Sequence, residues 1–389
     1  MTHRLYYTDS YLLDFEAVVA ERSADGRRVY LDRTAFYPTS GGQQFDTGSL
    51  GGIEVTDVVD EGDRVAHVLA AALAGERISG RIDWPRRFDH MQQHTGQHLL
   101  SSVLADVVGH QTVAVHFGRE SSTLDLDAAA LSADQLAKAE ARANEIVVQN
   151  RPVDISFEEA EFVDGLRKPS GRGGTLRIIT IRDLDRSACG GTHVRATGEI
   201  GPILVRKVER VRKGMRVEFL CGARASRRAR ADYTLISQLA GEFSATAEEL
   251  PRLIAGQREE LKQVQSRNRE LEEEIDRGRA RELYAAATPD KTGIRRVTIT
   301  QEGTSLDALR GLATAFTSMP MTIFVGAVPT PPAVVLAASP DTLIDAAGML
   351  KGLLTSVGGR GGGSARLAQG IVPGRAQLEA VVESLGSRA

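Results

Sequence analysis

Two short motifs constrain this chain more than any other feature: His94-Thr-Gly-Gln-His98 and Cys189-Gly-Gly-Thr-His193. Positions i and i+4 of a helix lie one turn apart on the same face, so both imidazoles of the first motif can reach one ion. The paired glycines of the second let the backbone turn until a thiolate and an imidazole converge. A His-His pair and a Cys-His pair together make a nitrogen and sulfur set suited to tetrahedral zinc. The competing interpretation is a hydrogen-bonded core cluster. About ninety residues separate the two pairs, far too many for a zinc finger. Two elements of one folded domain must therefore carry them to the same point. No glutamate follows the first histidine, which excludes the H-E-x-x-H peptidase mechanism. Neither motif shows an obvious carboxylate base.

The flanking patterns give those elements a setting. Residues 1–83 read as β, with short alternating runs at 15–19, 28–31, 53–59 and 65–68 separated by glycines, which suggests a small barrel or sandwich. Trp84-Pro85 marks a boundary. Met91, His94, His98, Val103 and Val107 recur at helical spacing over 86–108, and Gly109 stops the helix. A hairpin around 118–120 follows, then a helix over 132–149 with Ser132 as its N-cap. Strands are expected at 153–157, 176–181, 203–211 and 216–220. His90 extends the face of His94 by one turn and reads as a pocket or outer-shell residue. His116 lies on the opposite strand face from Val115 and reads as a pocket polar group. Cys221 ends an apolar strand and reads as a small buried residue.

Residues 223–285 read as helix throughout. Leu250, Ile254, Gln257, Leu261, Val264, Asn268, Leu271 and Ile275 repeat with 4-3 spacing, a heptad seam with two polar members. The seam is either an intermolecular coiled coil, giving a homodimer through residues 250–275, or a hairpin packed against 225–241. Residues 288–389 read as a second α/β unit, with strands at 294–300, 322–325 and 333–337 and helices at 305–316, 341–354 and 375–385. The predicted fold is thus α+β and multidomain. Its parts are a β-barrel-like domain at 1–84, an α/β sandwich bearing the zinc motifs at 85–222, a helical, coiled-coil-like segment at 223–287 and an α/β module with a glycine-rich loop at 288–389.

Charge separates further function classes. The net charge is −3 over 389 residues, which excludes a globally basic nucleic-acid binder. Yet ten Lys or Arg against two Glu fall between Arg206 and Arg230, a local charge of +8. Arg206, Lys207, Arg212, Lys213, Arg224, Arg227, Arg228 and Arg230 are candidate phosphate contacts. Arg360, within the run Gly358–Gly363, is another, although no Gly-Lys-Ser/Thr follows and the run is no Walker A loop. Two cysteines build no disulfide framework, which fits a reduced cytoplasm. No run of 18 apolar residues exists and the first ten residues lack a signal-peptide core, so no membrane association is expected.

Four segments together carry a family resemblance. They are 34–48 with its Phe-Tyr-Pro-Thr-Ser-Gly-Gly-Gln core, His94 to Ser101, Cys189-Gly-Gly-Thr-His193 with Thr197-Gly-Glu-Ile-Gly-Pro202, and the glycine run ending in Ala368-Gln-Gly370. In these the chain resembles the free-standing alanyl-tRNA editing proteins of the AlaX type in their long form. It is also similar to the editing and C-terminal parts of alanyl-tRNA synthetase. The resemblance implies one zinc ion on His94, His98, Cys189 and His193, and a catalytic pocket lined by Gly42 and Gln43. It implies hydrolysis of aminoacyl-tRNA without synthesis, since only about thirty residues precede the first segment.

The expected substrate is tRNA(Ala) mischarged with serine or glycine. A site shaped for alanine cannot exclude glycine by size and rejects an added hydroxyl only weakly. Zinc-assisted ester hydrolysis would remove such products. Four protein ligands leave zinc no open position, so the ion either only positions the substrate or first loses a ligand. Thr39, Gln43, Thr112 and His116 are candidates for reading the seryl hydroxyl. We assign His116 to the hydroxyl and Gln43 to the ester. Threonyl-type editing, and a non-catalytic tRNA-binding protein with structural zinc, are the alternatives. A phosphodiesterase of the oligoribonuclease type needs an Asp-His-His segment, and the chain offers only Asp89-His90.

Overall fold

The computed structural model describes residues 1–171, 173–212 and 214–388. The chain divides into two compact units, Met1–Leu239 and Ala240–Ala389.

The first unit opens with six short strands that close into a barrel. Their order around it is Asp14–Arg22, Arg28–Leu31, Val65–Leu69, Ile53–Asp60, Gly48–Leu50 and Arg77–Ile82. Strand alternation sends Phe15, Ala17, Val29, Leu31, Val55, Val58 and Ile78 inward, and these form one apolar core. The segment between the second and third of these strands in sequence is the polar glycine loop, which the barrel holds at both ends.

Helix α1, Trp84–Val108, starts on an Asp83 cap with Pro85 in its first turn and ends at Gly109 in the left-handed region (φ 77°). Its periodicity predicts one apolar stripe, but α1 is buried almost all round from His90 to Leu104. It runs through the middle of the unit. Leu99, Leu100 and Val103 share a core with Leu124, Val217 and Phe219, with Ala139 and Ile146, and with Ile179 and Ile181. Its buried polar side chains are tied to neighbouring backbone: Gln92 donates to Glu199 O (2.9 Å), Ser102 to Leu184 O (2.9 Å).

Two antiparallel sheets and helix α2, Ala133–Val148, surround α1. One sheet runs Ile203–Val211, Gly214–Cys221, Ser122–Leu126, Thr112–Phe117; the other Val153–Glu159, Thr175–Ile181, Asp185–Ala188. Ser132 caps α2 in a reciprocal capping box with Gln135.

The expected continuous helix over 223–285 is two helices, α3 (Gly222–Glu242) and α4 (Leu250–Ala286). Ser244 breaks the run at φ 49°, and Thr246 and Glu249 cap the restart as a capping box. On α4, Ile254, Leu261, Val264, Leu271 and Ile275 are exposed. Leu250 at its start is buried, and near its C-terminal end Ala280, Leu283 and Tyr284 meet helix α5, Leu306–Thr317.

The second unit is a five-stranded mixed sheet in the order Arg295–Thr300, Thr322–Pro329, Pro332–Ala338, Leu367–Ile371, Arg360–Gly363. The end of α4 and α5 cover one face. Helices α6 (Ala346–Ser356) and α7 (Arg375–Arg388) cover the other. The glycine run is therefore an edge strand, not a loop. Its glycines make room for α6: a Cβ on Gly361 would stand 2.6 Å from Leu354 Cδ1. Among the described residues no helix is long and apolar enough to cross a membrane.

Candidate metal centre and its adjoining recess

Helix α1 and the loop after the Asp185–Ala188 strand bring the two motifs together. The ligand atoms of His94, His98, Cys189 and His193 all lie within 4.8 Å of one another, and the cluster is buried apart from a half-buried Cys189. The Cys189 sulfur is 3.3 Å from His94 Nε2 and 3.4 Å from His193 Nε2. Arg177 clamps the cysteine loop. Its Nη1 donates to Cys189 O (2.7 Å) and Gly191 O (2.9 Å), and its Nε to Tyr7 O (2.8 Å). Gly191 is required because a Cβ there would collide with the His94 ring.

Each imidazole is held by its outer nitrogen. His94 Nδ1–H donates to Gln43 Oε1 (2.8 Å), His98 Nδ1–H to an Asp185 carboxylate oxygen (2.9 Å), and His193 Nδ1–H to Thr95 Oγ1 (3.1 Å). That arrangement leaves three Nε2 atoms and one sulfur facing a common point, as a metal-binding set requires.

The electrostatics agree. Burial alone would raise the Cys189 thiol, but the fields of His94 and His193 draw it well below the ordinary thiol range. Burial pushes His193 down to about 3. Burial also opposes a charge on His98, yet Asp185 and the Cys189 sulfur outweigh it and push that imidazole up to about 9. A cation held by this set would displace the proton on His98. The four residues could bind a metal ion, and their donor chemistry suits zinc.

Asp185 is the functional residue that the motif reading missed. It is buried, and besides His98 it accepts from Arg167 Nε (2.5 Å) and Ser187 Oγ (2.9 Å). Burial raises its carboxyl, but His98 and Arg167 hold it below the usual range. No motif marked it: it starts the strand Asp185–Ala188, which runs directly into the cysteine loop.

The glycine loop supports the cluster from the barrel side. Ser40 and Gln43 pair across Gly41 (φ 56°) and Gly42 (φ 85°), the positive φ pair of a primed hairpin turn. Gly42 packs against the Phe117 ring, which a Cβ would approach to 3.3 Å. Gln43 is buried. Its Oε1 also accepts from Thr192 N (3.2 Å) and its Nε2 donates to Thr192 Oγ1 (2.8 Å). Its amide therefore orients His94, where the sequence reading had assigned it to an ester. Behind it, buried Arg87 on α1 pairs with buried Asp46 and donates to Ser10 O (2.7 Å) and Ala35 O (2.6 Å).

Two pocket expectations are corrected. His116 is exposed, on the outer side of its strand. Strand alternation turns its neighbour Phe117 inward instead, 5.0 Å from the His94 ring. Thr39 is exposed too, and its hydroxyl accepts from Phe45 N (3.2 Å) within the loop. Thr112 is half-buried and donates to Ser101 Oγ (2.9 Å). The cluster adjoins a small recess lined by His90, Gln93, Phe117 and Arg224, with Gln43, Gln44 and Gly118 at its edge.

The basic run is not one uniform surface. Arg224 is 8% exposed, paired with Asp89 (2.6 Å) and donating to Gly118 O (2.8 Å). Arg228 pairs with Asp232 (2.5 Å), Lys207 with Glu209 (2.5 Å) and Arg206 with Glu218 (3.7 Å). Arg212, Arg227, Arg230 and Arg360 are exposed. Lys213 lies outside the described residues. Cys221 is fully buried, and burial pushes its thiol up, as a packing residue requires.

Comparison with known proteins agrees with this geometry. Residues 176–217 match the family described as the threonyl and alanyl tRNA synthetase second additional domain. The chain is 37% identical to the alanyl-tRNA editing protein AlaX-M of Methanosarcina acetivorans, over 56% of this chain and 97% of that protein. It is 30% identical to the AlaX-L protein of Pyrococcus horikoshii, over 100% of this chain and 99% of that protein. It is 33% identical to an alanine–tRNA ligase of Methanoregula boonei, covering 96% of this chain but 42% of the ligase. The chain thus spans less than half the length of the ligases it matches.

Proposed function

Since the chain belongs to the AlaX family of alanyl-tRNA editing proteins, we propose that it deacylates mischarged tRNA(Ala), chiefly seryl-tRNA(Ala) and secondarily glycyl-tRNA(Ala). The observation that carries this reading is the buried His94, His98, Cys189 and His193 set, with every imidazole oriented from outside and a small recess alongside. One zinc ion per chain is the metal these donors suit, and it would supply electrostatic polarisation of the ester carbonyl.

The chain's own residues do the rest. Gln43, Asp185 and Thr95 fix the three rings. Arg177 holds the cysteine loop in register with α1. Phe117 closes the apolar side of the recess against His94 and limits the water that reaches the ester. Arg212, Arg227, Arg230 and Arg360 are the proposed phosphate contacts, and the second unit is a proposed tRNA-holding module. Arg360→Gln should therefore weaken tRNA binding, and unchanged affinity would remove that residue. A second copy of the chain is the proposed cover for the apolar stripe of α4. Sedimentation of Leu261→Glu as an unaltered oligomer would remove that assignment.

The test is deacylation of seryl-, glycyl- and alanyl-tRNA(Ala) side by side, before and after zinc removal. Seryl-tRNA should be cleared fastest and alanyl-tRNA spared, with the activity lost on chelation and restored by zinc. Equal rates on all three, or full activity without metal, would sink the reading.

A further inference from the structure

Two of the chain's eleven phenylalanines are exposed, Phe157 at 49% and Phe162 at 81%. Folding usually buries this residue type, and these two stand five positions apart at one end of the sheet that leads into the cysteine loop. Phe157 pairs in register with Arg177. Side chains directly opposite each other on a ladder share a face. Phe157 therefore stands beside the guanidinium that holds the Cys189 and Gly191 carbonyls. From the other side of the same strand, Cys189 N donates to Arg177 O (3.0 Å). Two strand spacings of about 4.8 Å each put the Phe157 backbone about 10 Å from that of Cys189.

Phe162 lies on the segment that joins the strands Val153–Glu159 and Thr175–Ile181, and its N–H donates back to Glu159 O (2.9 Å). That segment is anchored. Ala160 N donates to Gly174 O (2.9 Å), Arg167 N to Arg186 O (2.9 Å) and Arg167 Nε to Asp185 (2.5 Å). Arg186 in turn bonds both Glu158 and Asp164. The segment thus reaches from one edge strand of the sheet to the other. Lys168, next to Arg167, is exposed, and among the described residues no carboxylate pairs with it.

We propose that Phe157 and Phe162 form a stacking platform for the unpaired 3′ end of a tRNA, taking the bases that precede the terminal adenosine, with Lys168 on their phosphates. This rests on the deacylase reading above, which seats the terminal ester at the His94, His98, Cys189 and His193 set. Stacked nucleotides rise by about 3.4 Å each, so the 10 Å from Cys189 to Phe157 corresponds to about three nucleotides. A ring stacks on the face of any base, so it grips a single strand without reading its sequence. A duplex keeps its base faces stacked on one another, so the platform separates an unpaired end from a stem.

The experiment compares full chains of wild type, the Phe157→Ala, Phe162→Ala double variant, the Phe157→Trp, Phe162→Trp double variant and Lys168→Gln. It measures binding of an acceptor-stem RNA hairpin with an unpaired 3′ extension and of the same hairpin trimmed blunt. It also measures zinc content and kcat/KM on the seryl ester of the extended hairpin and on 3′-O-seryl adenosine, which has no preceding bases. Wild type should prefer the extended hairpin. In the alanine variant that preference and kcat/KM on the seryl hairpin should fall about tenfold or more, while zinc stays bound and seryl-adenosine hydrolysis falls far less. The tryptophan variant should keep the preference. Lys168→Gln should lower the salt slope for the extended hairpin by about 0.7, and an unchanged slope removes Lys168 from the platform. Equal binding of the two hairpins by wild type, or an undiminished preference in the alanine variant, overturns the platform. So does loss of zinc or an equal loss on seryl-adenosine, which would make the rings supports for the cysteine loop. A wild type that hydrolyses neither ester overturns the deacylase reading by itself, and the hairpin preference then decides the platform separately.

Discussion

His98 Nδ1 donates to the Asp185 carboxylate at 2.9 Å, and that carboxylate is itself fixed by Arg167 and Ser187. A ligand imidazole held in this way keeps one tautomer and one ring orientation, and removing such a partner typically weakens metal binding by about 10–100-fold. Asp185→Asn should therefore release zinc to a chelator at lower concentration than wild type, by a factor in that range, with little change in secondary structure. Equal zinc affinity would show that the ring is held by packing alone.

Arg87 and Asp46 make a second buried pair, both fully inaccessible. Removing one charge strands the other in a low-dielectric interior, at a cost of about 3–5 kcal/mol. Arg87→Met should destabilise the N-terminal unit by that order. Replacing both residues with apolar ones should recover part of the loss. The chain has a single tryptophan. Trp84 packs against Tyr11 and Phe88, so its fluorescence reports unfolding of this unit. A single variant as stable as wild type would contradict the argument.

His67 gives the barrel a pH dependence. It is fully buried, donates from Nδ1 to Val29 O (3.3 Å) and accepts at Nε2 from the Thr34 hydroxyl (2.8 Å), so the loop's first residue depends on its neutral form. Burial pushes it down to about 4 from 6.5. Unfolded chains take up a proton near 6.5 and the native barrel resists it, so the unfolded state binds more protons between those values. The contribution is therefore full above pH 6.5 and is lost as pH falls toward 4, about 3 kcal/mol in all. The urea midpoint followed by Trp84 should drop over that window in wild type, and less in His67→Gln. Parallel pH curves would rule His67 out as the cause.

Much of this was legible in the chain itself. The HxxxH and CxxxH spacings specified which four side chains converge, because each spacing brings its own pair to one side of its element. Four of the six barrel strands and Ser132 were readable from alternation and capping, while Gly48–Leu50 and Arg77–Ile82 were not. Nor was Asp185, since a lone aspartate gains meaning only once the fold sets it beside His98. His116 was misassigned for a related reason: alternation puts it on the opposite face from Val115 and Phe117 but does not say which face meets His94, and that face is Phe117's. The break between α3 and α4 did have a signal in Thr246 and Glu249, which the continuous polar helical pattern concealed. The glycine run became an edge strand because Leu354 on α6 needs its bare surface, a tertiary demand that no local pattern carries.

The basic run separates into two kinds of arginine, and each should respond differently to mutation. Arg224 is buried against Asp89 and Gly118. Arg224→Gln leaves Asp89 without its partner and should lower stability while leaving the salt dependence of tRNA binding nearly intact. Arg227 and Arg230 are exposed, and Arg230 lies over the Tyr233 ring, 5.6 Å from its centroid, so a stacking surface adjoins the charge. If they contact phosphates, replacing each with glutamine should weaken binding of any tRNA about equally. Each replacement should also reduce the slope of log K against log salt by about one. The measurement is a titration of tRNA binding at several salt concentrations for wild type, Arg224→Gln and the Arg227→Gln, Arg230→Gln double variant. A slope that falls for the double variant and holds for Arg224→Gln places the phosphate track on the exposed side of α3. A slope that holds for the double variant makes that side a solvated helix face.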